Sequence, residues 1–253
     1  WRPRTPRTCP TASSPDVELR RVDDAAALAM AAADLIVETV QARPDAVLLA
    51  ATGETPMGSY AELGRRSFDS SRMRVAQLDE YVGITEDDPR SLYGWMRRSL
   101  CDAIGMGEDR IIRLRPDGDE ASACGAYDAA ITAAGGIDLA ILGLGPNGHL
   151  GFNEPPTDAA APTREVALTA SSIESNGRYF AEAVPRRART AGMKLILGAR
   201  RVLLLVSGSR KADILRRVLD AEPNRWLPAS WLHQHPDAIV LADAAALGEA
   251  THS

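Results

Sequence analysis

Ala46-Val-Leu-Leu-Ala-Ala51, running straight into Thr52-Gly-Glu-Thr-Pro-Met-Gly58, is the stretch that decides the fold. A continuously apolar segment bounded by Pro44 and Gly53 suits a strand buried on both faces, and such strands belong to parallel sheets. The residues after it turn into a helix near Pro56 to Leu63, with Thr55 placed as N-cap and Pro56 as the first helical residue. Upstream, Asp23 is placed to cap a helix whose positions Leu28, Ala32, Leu35 and Thr39 fall on one face, and Pro44 ends it. Downstream the alternation repeats. Strands are expected at Met73 to Leu78, Arg110 to Leu114, Ile137 to Leu144, Val202 to Val206 and Ala238 to Ala242. Helices are expected near Arg90 to Ile104, Glu120 to Ala134 and Arg210 to Asp220, with an irregular stretch after Leu144. Strands alternating with helices imply an α/β domain in which a mainly parallel sheet carries helices on both faces, a Rossmann-like three-layer sandwich. No internal repeat or central linker divides it, so one domain is expected over 17–253.

Composition sets outer limits. The 253 residues carry 29 Lys+Arg against 34 Asp+Glu, a net charge of −5, which excludes nucleic-acid binding through bulk charge. No uninterrupted apolar run approaches the roughly 20 residues of a membrane helix, so no membrane role is expected. Cys9, Cys101 and Cys124 are too few and too scattered for a disulfide framework, which points to a reducing cytoplasm. Residues 1–16 hold four prolines and no apolar core and read as a disordered leader.

In an open parallel sheet, ligands sit beyond the carboxyl ends of the strands, and three such ends carry chemistry here. In the first, Thr52, Gly53, Glu54 and Thr55 lie where free N–H groups of a helix start face an anion-sized space; an ordinary tight turn reads the same way. In the second, Leu78-Asp79-Glu80-Tyr81-Val82-Gly83, adjacent residues of an extended segment point to opposite faces. One acid can therefore face a substrate as proton carrier while the other braces the loop; the plainer reading is a solvated loop start. The third is Gly143-Leu-Gly-Pro-Asn-Gly148-His149-Leu-Gly151-Phe-Asn-Glu154-Pro155. Gly143, Gly145 and Gly148 fit the dinucleotide-loop spacing, but Pro146, Gly151, Pro155 and Pro156 forbid the long helix that such a loop must enter. The glycines instead let backbone approach a ligand, with His149 over the site and Glu154 within reach of it for acid–base work. Only His149, His233, His235 and His252 exist, and no Cys/His pair at ligand spacing has a third partner, so no metal is expected; no cofactor is expected either.

Thr52–Gly58, Leu78–Gly83 and Gly145–Pro155 resemble, in order and spacing, the three signature segments of glucosamine-6-phosphate deaminases, and the similarity runs from about Ala46 to His235. The resemblance implies conversion of glucosamine 6-phosphate to fructose 6-phosphate and ammonia, with a small-molecule sugar phosphate as partner and homo-oligomerisation left open. It implies Asp79 as the carrier of a proton between C2 and C1, His149 as the ring-opening acid–base and Glu154 as the carboxylate behind it. Asn147 stands where the family often has aspartate. Arg178 and Lys211 match basic positions of the family's phosphate clamp, alongside Thr52, Gly53, Glu54 and Thr55. Glu54 is a departure, since the family usually carries glycine or serine there. Val166 replaces a common lysine near Arg164, so no amino-sugar effector control is expected. The alternatives are a 6-phosphogluconolactonase-like enzyme, another sugar-phosphate isomerase, or a catalytically weak sensor.

Overall fold

A computed structural model describes residues 17–177 and 183–249. The leader expected over 1–16 lies outside them.

The chain runs β1 (Glu18–Val22), α1 (Ala25–Ala42), β2 (Val47–Ala50), α2 (Glu54–Leu63), β3 (Arg74–Gln77), β4 (Asp79–Tyr81), α3 (Leu92–Met96) and β5 (Ile111–Ile112). It continues as α4 (Glu120–Ala133), β6 (Leu139–Gly143), β7 (Arg164–Ala167), α5 (Ala170–Gly177), β8 (Arg187–Thr190), α6 (Met193–Leu197), β9 (Arg201–Val206), α7 (Ala212–Asp220) and β10 (Ala238–Asp243). Seven strands form one sheet in the order β1-β10-β9-β6-β2-β3-β5, and every pairing in it is parallel.

Period-2 geometry sorts the apolar strands into two cores. Val47, Leu49, Ala140, Leu142, Val202 and Leu204 pack toward α4, α6 and α7. Leu48, Ala50, Leu139, Ile141, Leu203 and Leu205 pack toward α1, α2 and α3 on the opposite face. The expected sandwich is thus present, and continuous apolar strands are its cause, since both faces of each are buried. By length and composition alone α1 is long and apolar enough to cross a membrane. Asp34 and Glu38 interrupt it, and Leu28, Ala32, Ile36 and Val40 are buried, as in a core helix.

Several boundaries move. Asp24, not Asp23, caps α1, its carboxylate accepting from the Ala27 N–H at 2.8 Å. Thr55 is not an N-cap: Gly53 holds that position without a side-chain bond, and Thr55 lies inside the first turn. The reason is the φ of +152° at Gly53, which bends the chain into the helix two residues earlier than a Thr55 cap would. The expected strand Met73 to Leu78 stops at Gln77, and the chain passes into a second sheet with the order β4-β8-β7. This sheet is antiparallel and lay within segments read as loop and irregular stretch. Tyr81, Phe152, Leu168 and Ala188 pack around it, the Tyr81 and Phe152 ring centroids 5.5 Å apart.

The chain crosses β2, β3 and β5 in one direction and returns to β6 on the other side of β2. That reversal opens a crevice at the carboxyl ends of the strands.

Candidate active site

A cavity of about 430 Å³ occupies this crevice, walled by the loops after β9, β6, β2 and β3, which are contiguous in the sheet. Residues distant in sequence meet here because parallel strands deliver all their carboxyl ends to one edge.

Thr52, Gly53, Glu54 and Thr55 form the wall after β2. The Tyr60 hydroxyl donates to the Ala51 carbonyl at 2.9 Å and fixes the start of the loop. Thr52 Oγ1 is buried at the cavity wall without a hydrogen-bond partner among the described residues. Glu54 opens the first turn of α2 and is exposed.

Asp79 and Glu80 separate as the alternation requires. Asp79 lines the cavity and is 6% exposed, and no described residue donates a hydrogen bond to its carboxyl. Burial, with the adjacent Glu80 charge, pushes its pKa up to about 8. Glu80 turns away into the protein.

His149 reaches the cavity through a close approach: a Cβ at Gly145 would lie 2.2 Å from the imidazole, so no larger residue fits there. Its Nδ1 lies 3.2 Å from Glu154 Oε2. A carboxylate acceptor places the proton on Nδ1 and leaves Nε2 as the acceptor. Asn147 donates to Glu154 Oε2 at 2.7 Å, and the buried Ser172 hydroxyl donates to Oε1. Burial works against ionising Glu154, but His149, Ser172 and Asn147 outweigh it and hold its pKa down to about 2. Glu154 and Asn147 stand behind the imidazole and off the cavity wall, and Asn147 braces Glu154.

Lys211 lies half-buried at the cavity, its Nζ donating to the Leu144 carbonyl at 2.7 Å. The Ser207–Gly208 turn before it is braced by Asp243, which accepts from the Gly208 N–H at 3.1 Å. Arg178 lies outside the described residues. Among the described residues, no group of three His, Cys, Asp or Glu could hold a metal ion.

Sequence reasoning missed Ser172 and Asp243. Nothing local distinguishes Ser172, which meets Glu154 only because α5 returns to the site. For Asp243, the signal available was a strand ending on a carboxylate.

An open parallel sheet whose switch-point crevice gathers a buried acid, an imidazole–carboxylate pair, a helix start and a lysine defines an acid–base enzyme of small anionic substrates. The chain matches the family model of glucosamine-6-phosphate isomerases/6-phosphogluconolactonase over residues 22–241, and it belongs to that family. It is 40% identical over 240 residues to a glucosamine-6-phosphate deaminase of Streptomyces avermitilis, covering 91% of both chains. To the enzyme of the same name from Bacillus velezensis it is 42% identical over 226 residues, or 86% of this chain and 93% of that one. A solved monomeric glucosamine-6-phosphate deaminase superposes with a TM-score of 0.88 at 35% identity, covering 91% of this chain and 99% of the other. A 6-phosphogluconolactonase of Thermotoga maritima shares the fold with a TM-score of 0.72 at 18% identity, over 89% of this chain and 99% of that one.

Proposed function

We propose that this protein converts glucosamine 6-phosphate and water to fructose 6-phosphate and ammonia. The single observation that carries the reading is the convergence of Asp79, the His149–Glu154 pair and Lys211 on one cavity whose floor is the start of α2. The names of its relatives support the same reading.

The residues divide the work by position. His149 Nε2 accepts the anomeric hydroxyl proton and returns it to the ring oxygen, opening the sugar. The Nδ1–H held by Glu154 stabilises the imidazolium that forms between the two transfers. Asp79, to whose carboxyl no described residue donates a hydrogen bond, takes the C2 proton and delivers it to C1. The C2 imine that results adds water and expels ammonia, so atoms balance. Binding would position the substrate's own ammonium near Asp79 and favour the ionised carboxyl that the first step needs. At the far end, Lys211, Thr52, Thr55 and the N–H groups of the first turn of α2 would receive the phosphate, together with Arg178.

The test is ammonia release by the purified protein on glucosamine 6-phosphate, with 6-phosphogluconolactone hydrolysis as the comparison. Release of ammonia with no lactone hydrolysis is expected. Lactone hydrolysis without ammonia would move the protein to the other branch of its family.

A further inference from the structure

Glu80, next to the proton carrier in β4, is 1% exposed and takes no part in the steps above. Its Oε1 accepts from the N–H groups of Tyr81 at 2.8 Å and Leu92 at 3.0 Å. Its Oε2 accepts from the Tyr93 N–H at 2.9 Å, the Ser91 hydroxyl at 3.0 Å and Gln77 Nε2 at 3.1 Å. Gln77 also donates to the Asp79 carbonyl at 2.8 Å and accepts from the Leu114 N–H at 3.2 Å. One carboxylate thus ties the end of β3, the whole of β4 and the start of α3 into a single unit. Burial pushes the Glu80 carboxyl up, while the five donors favour its ionised form; a neutral amide in its place would set an NH₂ group against some of them.

Resting on the deaminase reading, we propose that Glu80 is a positioning residue for Asp79. It locks the backbone that aims the Asp79 carboxyl into the cavity, and it stands behind that carboxyl as a fixed like charge. Ionisable groups facing Asp79 are Glu80, the Tyr60 hydroxyl from α2, the Tyr127 hydroxyl from α4 and His149 across the cavity. Among the described residues, those facing Glu80 are Asp79 and the cross-strand Arg189 of β8, whereas Tyr93 gives Glu80 its backbone N–H and turns its hydroxyl to Glu108. Arg189 is committed elsewhere, to Glu165 and to the carbonyls of Arg115, Asp117 and Gly118. Burial is the larger cause of the raised Asp79 titration, and Glu80 is the second.

The experiment is carboxyl carbon-13 NMR of the unliganded wild type and Glu80→Gln, which follows the Asp79 titration with no substrate present, joined to pH profiles of ammonia release. In Glu80→Gln the midpoint should fall by roughly one pH unit, and the acid limb of kcat/KM with it, while KM stays within a few-fold. A folded variant whose midpoint and acid limb do not move overturns the proposal, because a merely structural brace would lower activity without moving either. Should Glu80→Gln fail to fold, Glu80→Asp decides. It keeps the charge but draws the anchor back by one methylene, so kcat should fall at least tenfold with the acid limb in place; a wild-type kcat overturns the positioning role. Wild-type protein that releases no ammonia would count against the deaminase reading alone, since the NMR titration needs no substrate.

Discussion

Replacing Asp79 by asparagine should cut turnover by orders of magnitude and yet stabilise the protein, increasingly so as the pH rises. An aspartate ordinarily titrates at 3.8, whereas the buried Asp79 is pushed up to about 8. Between these values the native chain holds a proton that the unfolded chain has released. The native state therefore binds more protons, and stability falls as pH rises, the reverse of the usual case of an aspartate held ionised by a partner. The slope approaches ~1.4 kcal/mol per pH unit within that window, which gives roughly 2–3 kcal/mol between pH 5 and pH 7 and levels off above pH 8. For a chain of this size each kcal/mol moves Tm by about 2–4 °C. Asparagine is nearly isosteric and does not titrate, so the Tm difference between Asp79→Asn and the wild type should grow by about 5–10 °C from pH 5 to pH 7. Comparing the difference at two pH values cancels any fixed cost of burying the amide. Differential scanning calorimetry in matched buffers reads it directly, and a Tm difference that is the same at both pH values refutes the reasoning. On the proposed mechanism the same titration governs catalysis: kcat/KM of the wild type should climb with pH toward about 8, and the variant should lose ~10²–10⁴-fold in kcat with KM within a few-fold.

His149→Gln should cost far more on the cyclic sugar phosphate than on an open-chain analogue, and equal losses on both would remove the ring-opening assignment. Gly145→Ala places a methyl 2.2 Å from the imidazole, so kcat should fall at least tenfold with the fold retained; wild-type kcat would mean that His149 can act from another position. Glu54→Ser removes a carboxylate from the helix start proposed to receive the phosphate dianion. Because Glu54 is exposed and screened, KM for glucosamine 6-phosphate should fall only several-fold, with kcat little changed. A raised KM would instead make Glu54 a substrate ligand.

How far the sequence could be read follows from where each part of the structure draws its stability. Val47–Ala50, Leu139–Gly143 and Arg201–Val206 were legible because double burial leaves an unbroken apolar run, visible without a partner. The second sheet was not, because its strands are three or four residues long and carry Asp79, Glu80, Glu165, Arg187 and Arg189. Those charges are tolerated only through partners far along the chain, such as Glu165 for Arg189 at 3.2 Å, and no local periodicity records such a pairing. The division between Asp79 and Glu80 was legible, since alternation in an extended segment is local geometry. The start of α2 was misplaced by two residues because the φ of Gly53, not a side-chain cap, sets it. Ser172 was out of reach, as its contact with Glu154 depends on how α5 returns.

The two carboxylates of the site make the same point chemically. Burial raises the pKa of both, and it is the largest single influence on each. What separates them is their company. Glu154 accepts from Asn147 and Ser172 and faces His149, and it ends at about 2; Asp79 accepts no hydrogen bond from a described residue, has Glu80 beside it, and ends at about 8. A carboxylate held that low stays ionised through the cycle and can support an imidazolium, but it is too weak a base to take a proton from carbon. One held that high has the basicity for the C2 proton and, once protonated, can deliver it to C1 near neutral pH. Exchanging the environments would exchange the roles, so the assignment of Asp79 as proton carrier and Glu154 as support rests on the donors around each carboxyl and not on aspartate or glutamate as such.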